Sequence, residues 1–189
     1  CYNINQKFIN NPLYIKILNY TTSDLEELAL FKNRLDRIIN KAIVTNSYLL
    51  TDAEQSFLQL AIANITEQLM YIHNKNKIII FQTYQNYLIQ SNFEIRYEIY
   101  KKQLLKNYPL AIKLVRGAYM LQEREIEGKQ DNLIIHKNKE QTDLNYNNNC
   151  KIVLGAIDLN CIMIVATHNE ISVKNLLNEI KNNFKSVSD

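Results

Sequence analysis

Apolar positions along the chain recur with two periods. Behind the capping-box pattern Ser23-Asp24-Leu25-Glu26, the residues Leu28, Phe31, Leu35, Ile38 and Ala42 fall three or four apart, which predicts a helix over about 23–41. A short buried strand is predicted at 47–51, a second helix along the stripe Leu58, Ile62, Ile65, Leu69 and Ile72, and a strand at 77–81. The unit then repeats. Ser91 and Glu94 are placed to cap a helix reaching about 106, strands follow at 111–115 and 161–166, and helices at 139–157 and 172–184.

Strands alternating with helices imply parallel βαβ units, so the fold class is α/β. The runs Ile78-Ile-Ile-Phe81 and Ile162-Met-Ile-Val165 are apolar at every position, which predicts burial on both faces of the sheet. Only Gly117 and Gly128 fall in loops between strands and helices, so the Gly-rich phosphate turn of a dinucleotide-binding unit is missing. That favours a (β/α)8 TIM-type barrel. About half of its strands are present, roughly four of the eight such a barrel has, so the chain reads as a segment of a larger domain. Residues 1–22 are expected to be a linker or insertion remnant, and 23–189 the partial barrel.

Composition adds few constraints. The 189 residues carry a net charge of +3 with no long basic block, so nothing supports nucleic-acid binding. Cys1, Cys150 and Cys161 match neither a metal-ligand spacing nor a disulfide framework, and no metal site is expected. No apolar run reaches the length of a membrane span. The chain starts at Cys1, so any targeting segment would lie upstream. Asn-rich stretches such as 145–149 read as a global compositional bias.

Chemistry is expected where the strands end. Asp52, Gln82, the turn Arg116-Gly117-Ala118-Tyr119 and the trio Thr167, His168 and Asn169 each follow or close a β-rich run. Polar groups at the carboxyl ends of successive parallel strands point to one shared site.

Four stretches, in this order, carry a specific resemblance: Thr51-Asp-Ala-Glu-Gln55, Phe81-Gln-Thr-Tyr-Gln-Asn-Tyr-Leu88, Lys113-Leu-Val-Arg-Gly-Ala-Tyr119 with Glu123-Arg124, and Ala166-Thr-His-Asn-Glu170. Over about 24–177 the chain resembles the proline dehydrogenase (proline oxidase) family, particularly its eukaryotic members. The resemblance implies an FAD-containing barrel that oxidises L-proline to 1-pyrroline-5-carboxylate and passes electrons to a quinone. It also implies a mitochondrial location on the matrix side of the inner membrane, and leaves room for peripheral association of the full-length protein with that membrane.

It further implies roles for individual residues. Asp52 matches the site aspartate and Ala53 a backbone contact with the flavin, the alternative for Asp52 being a helix N-cap. Gln82 matches a flavin-contacting glutamine, while Tyr84, Gln85 and Tyr87 are expected to pack the start of the next helix. Lys113 stands where bacterial members carry an arginine near the flavin, and lysine offers a point charge without the planar fork. Arg116, Gly117 and Ala118 match the flavin-binding turn, and Tyr119 the aromatic beside the substrate. Thr167, His168 and Asn169 match a flavin-binding segment. Thr142 and Asp143 resemble a Thr-Asp pair beside a cofactor phosphate, with a plain helix-start role as the alternative. The family's first-strand lysine and its paired arginines have no counterpart in these residues. Two other readings are a non-catalytic remnant of such a barrel and a flavin barrel of the methylenetetrahydrofolate reductase type.

Overall fold

The computed structural model describes residues 22–105, 109–127, 134–157 and 160–183. The expected linker up to residue 21, Cys1 and Gly128 lie outside them. The chain divides into two compact units, Cys1–Ser47 and Tyr48–Asp189. In the first, helix α1 (Thr22–Val44) follows the predicted stripe, while the side chains of Ser23 and Asp24, the expected cap, lie outside the described residues. Its last turn is closed by Thr45, whose amide and hydroxyl both donate to the Lys41 carbonyl, at 2.9 and 2.8 Å.

The second unit runs β1 (Leu49–Thr51), α2 (Ser56–His73), β2 (Ile80–Gln85), α3 (Ser91–Leu105), β3 (Leu110–Val115), α4 (Met120–Glu127), α5 (Lys139–Leu154), β4 (Cys161–Val165) and α6 (Glu170–Asn183). All neighbouring strands are parallel and lie in the order β1-β2-β3-β4, so each strand pairs with its successor. The α/β class and the parallel sheet agree with the pattern of the sequence. The described strands form an open four-stranded sheet with β1 and β4 at its edges, and no closed barrel among themselves.

The core lies within and behind this sheet. Phe81, Ala111, Ile112 and Leu114 are fully buried, as are Tyr146 and Val153 of α5. Cys150 and Cys161 are free and buried, and burial pushes their thiols up to about 11 and about 12, as befits inert core residues.

Local chemistry moves several boundaries. Strand β2 begins at Ile80 and continues through Gln85, where 77–81 was expected. At its start the amides of Ile79 and Ile80 both donate to the Asn74 side-chain oxygen at 3.0 Å, so the ladder begins late. At its end Gln82, Thr83, Tyr84 and Gln85 pair with Ile112 through Val115, so Tyr84 and Gln85 are strand residues. Their polarity hid the strand.

Helix α4 was not anticipated, because eight residues with few apolar positions leave little periodic signal. Helix α5 stops at Leu154, with Gly155 as its C-cap, three residues short of expectation. Ser91 opens α3, but its hydroxyl donates to the Leu88 carbonyl, and no capping box forms with Glu94.

The Asn-rich stretch is structural. Asn145 and Asn149 are buried, and their amides donate to the Asn86 carbonyl at 2.9 Å and the Asn86 side-chain oxygen at 2.6 Å. Asn86 in turn donates to the Val115 carbonyl at 2.8 Å. These bonds fix the turn after β2 against both α5 and the end of β3, where the site begins.

Candidate active site

The carboxyl ends of the strands open into one cleft of about 790 Å³, within the range of about 300–1,000 Å³ usual for small-molecule and cofactor sites. Asp52, Ala53 and Glu54 reach it from the end of β1, Thr83 and Gln85 from β2, and the Arg116–Tyr119 turn from β3. Thr167, His168 and Asn169 close it after β4. Both α5 and α6 start at its rim, with Lys139 and Glu170, so the electropositive N-terminal ends of two helices border it.

Strand register sets who meets whom. Thr83 is paired with Lys113, and Asp52 follows Thr51, which is paired with Gln82. Lys113 thereby reaches across β2 to Asp52, with Nζ to Oδ1 at 2.6 Å. The lysine is largely buried and the aspartate is exposed, at 17% and 75%. The pair presents a carboxylate at the mouth of the cleft with a fixed cation beneath it. Asp52 does not cap α2, because the cap position is Gln55.

Gly117 turns the chain at the end of β3. Its φ of 122° is open only to glycine without strain, and a Cβ there would overlap the ring of Tyr87. Tyr87 packs with Leu88 and Ile135 in a small buried cluster that Tyr119 and Met120 cover, so it packs beneath the site. The tight turn sets Ala118 and Tyr119 at the cleft. A hydrogen bond from the Tyr119 hydroxyl to Glu54, helped by the Glu54 and Asp52 charges, holds that phenol above its ordinary range.

Arg116 is committed to protein partners. Its guanidinium donates to Asp143 Oδ1 at 2.6 Å, Thr167 Oγ1 at 2.7 Å and Ser172 Oγ at 2.8 Å, and stacks 4.3 Å from the centre of the Tyr146 ring. Burial works against the charge of Asp143, but hydrogen bonds from Lys139 and Arg116 outweigh it and hold the carboxyl below the usual range. Arg116 thus ties the end of β3 to α5, the loop after β4, and α6.

The remaining expected residues are placed as follows. His168 is exposed in the cleft. Asn169 lines it while capping α6, accepting the Ser172 amide at 3.0 Å. Gln82 is buried on β2, does not line the cleft, and its side-chain oxygen has no partner among the described residues. Thr142 is also buried outside the lining, one turn into α5, with its hydroxyl on the Asn138 carbonyl at 3.3 Å. Residues not expected at the site also belong to it, Thr83, Lys139 and Glu170 among them. Gln85 and Glu54 line it, and Glu123 supports it from behind. No group of three or more metal-ligating side chains occurs among the described residues.

The profile of the proline dehydrogenase family matches residues 3–187. The chain is 34% identical over 160 residues to proline dehydrogenase 1, mitochondrial, of Dictyostelium discoideum, covering 81% of this chain and 28% of that protein. The Caenorhabditis elegans protein of the same name is 32% identical over 195 residues, covering 92% and 31%. Among solved structures, proline utilization A from Bdellovibrio bacteriovorus inactivated by N-propargylglycine superposes with a TM-score of 0.74 at 20% identity, over 84% of this chain and 16% of that one. The chain spans less than a third of the length of these relatives.

Proposed function

This chain belongs to the proline dehydrogenase family, and from that premise we propose that the full-length protein oxidises L-proline to 1-pyrroline-5-carboxylate with FAD and passes the electrons to a quinone. The domain would be a (β/α)8 barrel of which these four strands are an arc, and the location mitochondrial, as the names of the relatives suggest. The observation that carries the reading is the Asp52–Lys113 ion pair, in which Asp52 lines the same cleft as the Gly117 turn and Lys113, within β3, holds it from outside the lining.

The lining suits a flavin. Thr83 lines the cleft, and its Oγ1 is buried with no partner among the described residues, so a polar ring edge that reached it would satisfy it. Ala53, Arg116, Gly117, Ala118, Thr167, His168 and Asn169 would hold the cofactor, with Gln82 and Thr142 bearing on it only after a change of side-chain position. When bound, FAD supplies a two-electron acceptor for the carbon–nitrogen bond that becomes double.

The chain's own residues bind and orient. Lys113 sets a positive charge beneath the cleft, where it stabilises negative charge that develops there. Asp52 accepts hydrogen bonds from a cationic amine, and Tyr119 packs its ring on an apolar substrate face. The test is dye or quinone reduction by the purified full-length protein with L-proline, hydroxyproline, other amino acids and a reduced folate. Proline-dependent turnover is expected. Turnover confined to the folate, or absent with every amino acid, would overturn the reading.

A further inference from the structure

Glu123 is fully buried, yet it lies on a short helix and lines no part of the cleft. Both of its carboxylate oxygens are used on a single residue 67 positions away. Oε1 accepts the Ser56 amide at 2.6 Å, and Oε2 accepts the Ser56 hydroxyl at 2.7 Å. Ser56 is the first residue of α2. That helix has no cap of its own, because Gln55 makes no side-chain cap bond and its first turn has no acidic residue. The orphan amide and the positive helix end are satisfied by a carboxylate from another element.

A buried charge is a costly way to cap a helix when a serine or aspartate at position 55 would do so from the adjacent residue. The long-range solution has one consequence that a local cap lacks: it fastens the loop after β1 to the segment after β3. Other bonds span the same two segments. Gln85 donates to the Glu54 carbonyl at 2.6 Å and accepts the Ala118 amide at 3.4 Å.

We propose that Glu123 is a positioning residue, which through Ser56 holds the Asp52–Ala53–Glu54 loop in register with the Gly117–Tyr119 turn so that Asp52 and Tyr119 face one substrate. This rests on the proline-oxidising reading of the cleft for its catalytic consequence, but not for the clamp. Glu123 touches neither the cleft nor any reacting atom. Its charge also bears on Tyr87, the ring beneath Gly117, whose phenol is raised by burial first and by Glu123 second. The same carboxylate therefore acts through its charge on the floor of the turn and by hydrogen bonds on the start of α2.

The experiment compares Glu123→Ala, Glu123→Gln and Ser56→Ala in the full-length protein, by amide hydrogen exchange, flavin content, and the separate KM and kcat for proline. In Glu123→Ala, exchange at Ser56 and its neighbours should speed up by about tenfold or more, the loss of one buried hydrogen bond. KM for proline should rise by about tenfold, because a small misplacement of positioning groups is felt at the substrate. Glu123→Gln keeps one acceptor for the amide and an NH2 for the hydroxyl, so it should restore both values to within about threefold of wild type. Ser56→Ala, which removes only the hydroxyl bond, should lie between them and serves if Glu123→Ala does not fold.

Unchanged exchange at Ser56 in Glu123→Ala overturns the clamp. Faster exchange with an unchanged KM overturns the positioning role, as does Glu123→Gln behaving like Glu123→Ala. A wild-type protein that does not turn over proline refutes the proposed function instead, and the exchange measurement still decides the clamp.

Discussion

Replacing Gly117 with alanine tests the geometry of the site at its tightest point. Two separate effects add. A side-chain-bearing residue at φ 122° is strained by about 1–3 kcal/mol. The new methyl also overlaps the Tyr87 ring, which is 1% exposed and cannot swing into solvent, and such overpacking costs about 1–3 kcal/mol. The sum, about 2–6 kcal/mol, is a large fraction of a stability of about 5–15 kcal/mol.

Gly155→Ala is the control. At φ −66° and ψ −10° its nearest atoms would be 3.5 and 3.6 Å from a Cβ, so alanine fits and should stabilise by about 0.4–1 kcal/mol. Urea titrations of the full-length variants, followed by circular dichroism, give both values. In a Tyr87→Ala background the overlap vanishes and only the backbone strain of about 1–3 kcal/mol should remain. A Gly117→Ala protein within about 0.5 kcal/mol of wild type would refute both the turn geometry and its packing on Tyr87.

Other perturbations follow from the same contacts. Arg116→Lys keeps the charge but cannot reach Asp143, Thr167 and Ser172 together, and thermal denaturation should show a loss of about 2–4 kcal/mol. Asp143 has its folded pKa lowered, so the unfolded chain takes up protons first as pH falls. Its stabilisation is present above the unfolded value of about 3.9 and is lost as pH drops through the folded value. Melting temperatures between pH 7 and pH 3 should therefore fall less steeply in Asp143→Asn, from a lower start. Asn149→Ala strands the buried Asn86 oxygen and should lower stability by about 1–3 kcal/mol in urea titration.

How far the structure was legible depends on what each residue acts through. Helices α1 and α2 announce themselves because five apolar side chains on each recur at helical spacing. The end of β2 does not, because Gln82, Thr83 and Gln85 are polar side chains buried on a strand beside a ligand cleft, where apolar pattern is a poor guide. At the site, Asp52, Gly117, Tyr119, Thr167 and His168 carry motif chemistry and come together around one cleft, and Lys113 joins them only through its ion pair with Asp52. Gln85 and Glu123 act largely on backbone groups brought close only by the fold, so no local spacing marks them. Asn145 and Asn149 were hidden differently: in an Asn-rich chain, two asparagines that hold the turn after β2 look like all the others.

The central claim is tested most directly by adding L-proline to the purified, flavin-loaded full-length protein in the absence of oxygen. Bleaching of the yellow flavin absorbance by proline, and not by valine at the same concentration, is the result expected. Bound flavin that proline leaves fully oxidised would contradict it.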